Sequence, residues 1–275
     1  MTKKRKTLFI LGILLMALGV ACLSYSLIRD YLKKRDMEEL HSIAYRETTA
    51  AKTEATEIAT SEEETAPTQT ETEEITTTKE PYVSPIDFEA LWEVNPDIYA
   101  WLEIANTEIA YPVLQHATDN SYYLNHTPEH KSGFPGSIFT YNVNAKDFSD
   151  FNTVIYGHRM NNGLMFSNLH DFRDESYLME HRTIKIYLPE RELIYTIFAA
   201  VVYDDRLITS AFDFSDPESC SAYLKSIFEN RDMNSHVLEE PAVTNEDHII
   251  TLSTCVKGQP SKRYLVVAVL TDEIE

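Results

Sequence analysis

Acyl transfer through a thiol needs a nucleophilic sulfur, a proton carrier and a cation that meets a developing oxyanion. Residues 248–270, HIITLSTCVKGQPSKRYLVVAVL, offer the first and the third. They read as a strand ending in Cys255, a seven-residue loop from Val256 to Lys262, and a second strand opening on Arg263. Side chains alternate along a strand, so Thr251, Ser253 and Cys255 share one face while Ile250, Leu252 and Thr254 share the other. If the two strands pair as an antiparallel hairpin, their loop-proximal ends lie opposite each other and Arg263 stands beside Cys255. A guanidinium there favours the thiolate and presents a planar fork of donors to an oxyanion. On spacing alone, an ordinary hairpin with a buried thiol and a surface arginine fits as well.

Nine histidines are available as the proton carrier. His248 precedes Cys255 on the same strand by roughly 23 Å, at about 3.3 Å per residue, and is out of reach. His158 has the better setting. Thr153 to Tyr156 is a short apolar β run, Gly157 breaks it, and His158 and Arg159 open the loop that follows,. His116, His126, His130, His170, His181 and His236 fall in polar or helical surroundings and read as surface residues.

Thr251-Leu252-Ser253-Thr254-Cys255, the arginine at 263 and the upstream Tyr156-Gly157-His158 resemble the TLxTC signature, catalytic arginine and catalytic histidine of the sortases, the Gram-positive cell-surface cysteine transpeptidases. Ser253 within that signature, Gly163-Leu164-Met165-Phe166 and the long segment between the last strands are closer to class B. The resemblance covers about Phe88 to Leu270. It implies that Cys255 is the nucleophile, Arg263 the oxyanion donor and His158 the general acid and base. The substrate it implies is a secreted protein with a C-terminal sorting signal, cut after a Thr and passed through a thioester to an amine. That amine belongs to the peptidoglycan precursor or to a pilin lysine, and nothing in the chain separates wall anchoring from pilus assembly. Asp119 to Leu124 resembles the segment that lines the class B groove, which makes Asn120 and Leu124 candidate substrate contacts; Tyr156 and Ser253 flank the catalytic pair as in the family. Taken by itself, Leu124 reads as core. No cofactor is implied, and no cluster has metal-ligand spacing. A hydrolytic cysteine protease and a non-enzymatic adhesin on a stalk are the competing readings. The adhesin accounts for the spacer described next and not for Cys255, His158 and Arg263.

The elements that carry these residues follow a distinct leader. Residues 1–6 hold a positive run, KKRK, and 7–28 form an apolar, uncharged stretch of the length that spans a bilayer,. No A-x-A-like site closes it, so it reads as an uncleaved signal-anchor, with the amino end cytoplasmic and the catalytic domain extracellular. A juxtamembrane segment, 29–45, is expected to continue as a short helix. Residues 46–81 then form a stalk: 12 Thr and 10 Glu fall between Arg46 and Glu80, a composition that cannot bury enough apolar surface to order itself,. A glycosylated Thr-rich stalk obeys the same physics.

Residues 82–275 are the expected catalytic domain. They carry 30 Asp plus Glu against 13 Lys plus Arg, a net of −17, which argues against nucleic acid or anionic lipid as a partner,. Seven β runs, with an eighth in Leu102 to Ala105, predict a mainly β fold, the sortase-type closed barrel of about eight strands. Phe88 to Leu102 reads as two short N-terminal helices broken at Asn95-Pro96, with Trp92 and Trp101 as packing anchors. Pro217 and the spacing of Tyr223, Leu224, Ile227 and Phe228 predict a helix inserted before the cysteine strand. Cys220 and Cys255 are the pair that an oxidising exterior would join, but ionisable partners at Cys255 argue for a free thiol.

Overall fold

The β-branched and aromatic runs of the C-terminal part pair into a ring. The computed structural model describes residues 3–45, 82–133 and 135–275; the stalk, 46–81, lies outside the described residues. Two compact units divide the chain, Met1–Ser42 and Ile43–Glu275. The first is helical: α1 runs Lys3–Ala44 without a break, so the expected juxtamembrane helix is its continuation. From Leu11 on, this helix is long and apolar enough to cross a membrane.

The second unit starts with residues the sequence assigned to the juxtamembrane segment. Ala44 is buried and its carbonyl accepts from the Asp87 N–H at 2.8 Å, while the Tyr45 ring meets Trp101 edge-on at 5.8 Å. Helix α2, Phe88–Val94, begins where the Asp87 carboxylate accepts from the Ala90 N–H at 2.9 Å and stops at extended Asn95, ahead of Pro96,. The second expected N-terminal helix is not there. Ile98–Ile104 forms strand β1 instead, paired with one strand on each side and buried nearly throughout, so its sequence shows no alternation to announce a strand,. Trp101, within it, is fully buried; Trp92 is partly exposed and donates its indole N–H to the Ile98 carbonyl.

The remaining strands are β2 Ala110–Leu114, β3 Ile138–Thr140, β4 Asn152–Tyr156, β5 Thr183–Tyr187, β6 Glu192–Asp204, β7 His236–Val237, β8 Ile249–Val256 and β9 Gln259–Ile274. Their order is β5-β1-β2-β3-β4-β8-β9-β6, and β6 pairs back onto β5, which closes an eight-strand barrel with β7 on the outer edge of β6. Short helices α3, Glu175–Glu180, and α4, Ile208–Ala211, sit in connections. Helix α5, Pro217–Phe228, is the insertion expected before the cysteine strand, and the Asp216 carboxylate caps it by accepting from Glu218 and Ser219 N–H groups. Its Tyr223, Leu224 and Ile227 pack with Val154, Ile249, Leu265 and Val267 on one face of β4, β8 and β9. Tyr223 also shares a 2.8 Å hydrogen bond with Thr251, whose hydroxyl donates to Asn152 Oδ1 at 2.9 Å, so the helix is fixed to the two strands by polar as well as apolar contacts,.

Gly157 ends β4 where no side chain fits. A Cβ there would stand 2.4 Å from Ile138 Cδ1 and 2.6 Å from Phe166 Cδ2. Gly157→Ala should destabilise the unit by about 1–3 kcal/mol, the usual magnitude of overpacking, seen as a lower thermal midpoint. An unchanged midpoint would contradict this close approach.

Candidate active site

Strand β8 lies between β4 and β9, and its two ladders set the ends of these three strands side by side. On the antiparallel side Cys255 faces Arg263 directly. On the parallel side Tyr156 faces Ser253, and the Gly157 N–H continues the pairing by donating to the Ser253 carbonyl at 3.1 Å. His158 and Cys255 each lie two residues beyond the Tyr156–Ser253 pair, Cys255 still on β8 and His158 in the loop just past the end of β4. The face of β8 that carries Cys255 is the one that α5 covers farther along; Thr251 and Ser253 are buried, and Cys255, at the uncovered end, is exposed. Cys255 and Arg263 are thus cross-strand neighbours, and His158 follows the end of the adjoining strand.

The hairpin between the strands is tighter than expected. Lys257-Gly258, with Gly258 at φ 73°, makes a two-residue turn, Val256 pairs with Gln259, and a register shift separates that pair from Cys255–Arg263,. The seven-residue loop is thus a turn plus a bulge of Pro260 to Lys262. The bulge serves the site: the half-buried Arg263 donates Nη1–H to the carbonyls of Pro260 and Lys262, each at 3.0 Å, which aims its guanidinium.

The imidazole of His158 is held from the other side. Its Nε2 lies 2.8 Å from the Leu124 carbonyl, which can only accept, so Nε2 carries the proton and Nδ1 is the nitrogen left to titrate,. Burial lowers the pKa of His158 and the Leu124 bond partly opposes that shift. Leu124 itself closes a 3-10 turn, Tyr122–Leu124, that is tied down at several points. The Tyr123 hydroxyl donates to Asp97 at 2.7 Å and accepts from Asn95 at 2.9 Å; the Tyr122 ring stacks between His116 and His126 at 4.6 and 4.0 Å. Gly136, at φ 73°, passes so close that a Cβ would come 2.5 Å from the Leu124 oxygen.

Other sequence assignments fare differently. The side chain of Leu124 is 47% exposed rather than core, because the short turn spends its buried positions on Tyr123. Asn120 is half-buried and accepts from the Asn142 N–H at 2.7 Å through Oδ1. Tyr156 is half-buried against Tyr141 and Phe139, with ring centroids at 4.9 and 5.7 Å, and Ser253 is 4% exposed. Cys220 is free and buried, its thiol directed at the Phe214 carbonyl at 3.4 Å, and burial pushes its pKa up. Five of the six histidines read as surface residues, all but His130, are half-buried; among them His236 donates to the Arg173 carbonyl at 2.8 Å, and His170 reaches the Cys255 carbonyl at 3.0 Å. Only tertiary packing brings His170 there, 85 residues from the cysteine, and no local pattern marks it.

Burial also leads the lowering of the His170 pKa, helped by the charges of Arg173 and Arg159 and opposed by the bond to Cys255. Both rings, His158 and His170, therefore bind a proton less readily in the native state than in the unfolded chain. The stability this implies is complete above the ordinary histidine pKa of about 6.5 and is lost as pH falls through the lower native values. Urea unfolding between pH 7.5 and 5 should show falling stability, with a shallower fall in His158→Gln. A stability that is flat or rises toward pH 5 would contradict the burial of these rings.

Comparisons with known proteins assign the family. A family model described as the Sortase domain matches residues 102–271. A sortase B of Listeria monocytogenes is 36% identical over 171 residues, which are 60% of this chain and 65% of that protein, just under two thirds of its length. A sortase B of Staphylococcus aureus is 31% identical over 194 residues, covering 69% of this chain and 76% of the relative. The X-ray structure of Clostridium perfringens sortase B superposes with a TM-score of 0.61 at 28% identity, over 67% of this chain and 100% of that one. With its eight-strand barrel and these matches, the chain belongs to the sortase family of cysteine transpeptidases, and within it to class B.

Proposed function

We propose that the protein is a membrane-anchored cysteine transpeptidase that cuts a C-terminal sorting signal after Thr and joins the released acyl group to an amine at the cell surface. The observation that carries this reading is the pairing of Cys255 with Arg263 at the exposed end of β8, with His158 two residues past the end of the parallel strand β4. The Cys255 thiolate attacks the Thr carbonyl, and the oxyanion that forms lies within the reach of the Arg263 fork. The tetrahedral intermediate collapses to a thioester as His158, protonated at Nδ1, gives that proton to the departing amine. The incoming amine then passes its proton to Nδ1, attacks the thioester and displaces the thiolate. Each cycle returns both groups to their starting states, so no cofactor enters.

Asn120, Leu124, Tyr156 and Ser253 are the proposed substrate contacts. They lie at the 3-10 turn and on β4 and β8, with Leu124 offering an exposed apolar side chain beside the carbonyl that holds His158. Helix α1 supplies the anchor, and the Thr- and Glu-rich stretch of 46–81 lies between it and the extracellular domain in the chain,. The amine is that of the peptidoglycan precursor, the alternative being a pilin lysine.

Incubation with sorting-motif peptides and an amine panel, read by product mass, tests the reaction. Amide product expected from the native protein should vanish in Cys255→Ala and persist in Cys220→Ala; a free acid as the sole product would indicate a hydrolase, and a lysine-only amide would favour pilus assembly. Arg263→Lys should lower turnover by about 10²- to 10³-fold, the usual loss for an oxyanion donor, and Lys262→Ala should change it little. The reverse ranking would contradict the Cys255–Arg263 register.

A further inference from the structure

Where the β8–β9 ladder shifts register, between Cys255 and Val256, the backbone of the nucleophile sits at an irregular point of the sheet,. A residue from outside the sheet takes hold of it there. The 3-10 helix Phe166–Arg173 packs near the ends of β8 and β9, and its His170 places Nε2 3.0 Å from the Cys255 carbonyl. A carbonyl only accepts, so this nitrogen carries the hydrogen.

The ring is not a loose surface group that happens to touch. Its centroid lies 5.0 Å from that of Tyr264, which is fully buried on β9 opposite Thr254. Tyr264 also carries the Arg173 guanidinium 5.1 Å from its ring centre, and the backbone of Arg173 is held in turn by His236. Thr254 and Tyr264 belong to the face of the sheet opposite Cys255. His170 therefore grips the nucleophile's peptide from behind, while the thiol stands in front beside Arg263. Burial and then the guanidinium of Arg173 disfavour a second proton on His170, which leaves its Nε2–H in place as a donor.

Resting on the transpeptidase reading above, the geometry points to His170 as a positioning residue. Its N–H fixes the Cys255 carbonyl, and so fixes where the strand end directs the thiol. A misplaced nucleophile affects the covalent step more than the binding of substrate, since Asn120, Leu124 and Tyr156 lie on other elements and Ser253 lies inside the regular part of the β8 ladder,.

The test uses the full chain in detergent micelles with native His170, His170→Phe and His170→Gln. Phe keeps a ring against Tyr264 and loses the donor; Gln can return an amide N–H to the place of Nε2. Losing one neutral hydrogen bond should lower kcat about 5- to 10-fold in His170→Phe with KM nearly unchanged, and His170→Gln should recover most of it. Equal activity in all three, equal loss in both variants, or a loss confined to KM would overturn the assignment. Should His170→Phe not fold, His170→Leu takes its place under the same criteria. If the native protein makes no amide product, the transpeptidase reading fails separately. The alkylation rate of Cys255 by iodoacetamide, located by peptide mapping, then decides the role of His170: slowed in Phe and restored in Gln supports it, and equal rates overturn it.

Discussion

The parallel pairing of β4 with β8 is the constraint on which the site depends. It is one of two parallel contacts in a barrel whose other pairings are antiparallel, and it joins two strands separated by almost a hundred residues. Because it is parallel, both strands end in the same direction, so the residues just past Tyr156 and Ser253 emerge together. The antiparallel partner β9 approaches the same end from the other side. Slipping either ladder by one residue would shift the end of β4, and His158 with it, along β8 or turn Arg263 to the face opposite the thiol. What holds the register is buried matter: Val154 and Ile155 against Thr251 and Leu252, the Thr251 hydroxyl on Asn152, and Tyr223 of α5 bonded to Thr251.

Beside the Cys255 thiol, two side chains are held by backbone carbonyls. His158 is held by Leu124, Arg263 by Pro260 and Lys262. Carbonyls of well-anchored turns do not titrate, so they set direction and tautomer without adding charge of their own. For His158 this matters twice, since the Leu124 bond assigns the proton to Nε2 and burial keeps the second proton weakly bound. The anchoring of the Leu124 turn by Tyr123, Asp97 and Asn95 thus bears on how the His158 ring is oriented.

Much of this was legible in the sequence, for reasons that can be named. The Cys255–Arg263 neighbourhood follows from period-2 alternation and hairpin spacing, and α5 follows from Pro217 and its apolar repeat. The eighth strand was only half visible: Ile98–Ile104 is buried on both faces, so it lacks the alternation that marks a strand, and its start directly after Pro96 resembles the resumption of a helix. The two-residue turn at Lys257-Gly258 was hidden because Pro260 to Lys262 bulge out of the ladder, which looks in sequence like a longer loop. Leu124 reads as core by type and is exposed because a three-residue 3-10 turn can bury only one of its side chains. His170 could not be found from local pattern at all, since its importance lies in a contact with a strand end far along the chain.

The most direct measurement of the central claim is the site of the acyl intermediate. The full chain, mixed with a sorting-motif peptide without amine and quenched in acid, should gain the mass of the acyl fragment, and proteolytic mapping should locate the thioester on Cys255 in one-to-one stoichiometry. An adduct on Cys220, or acyl transfer that proceeds with no modification of Cys255, would contradict the account.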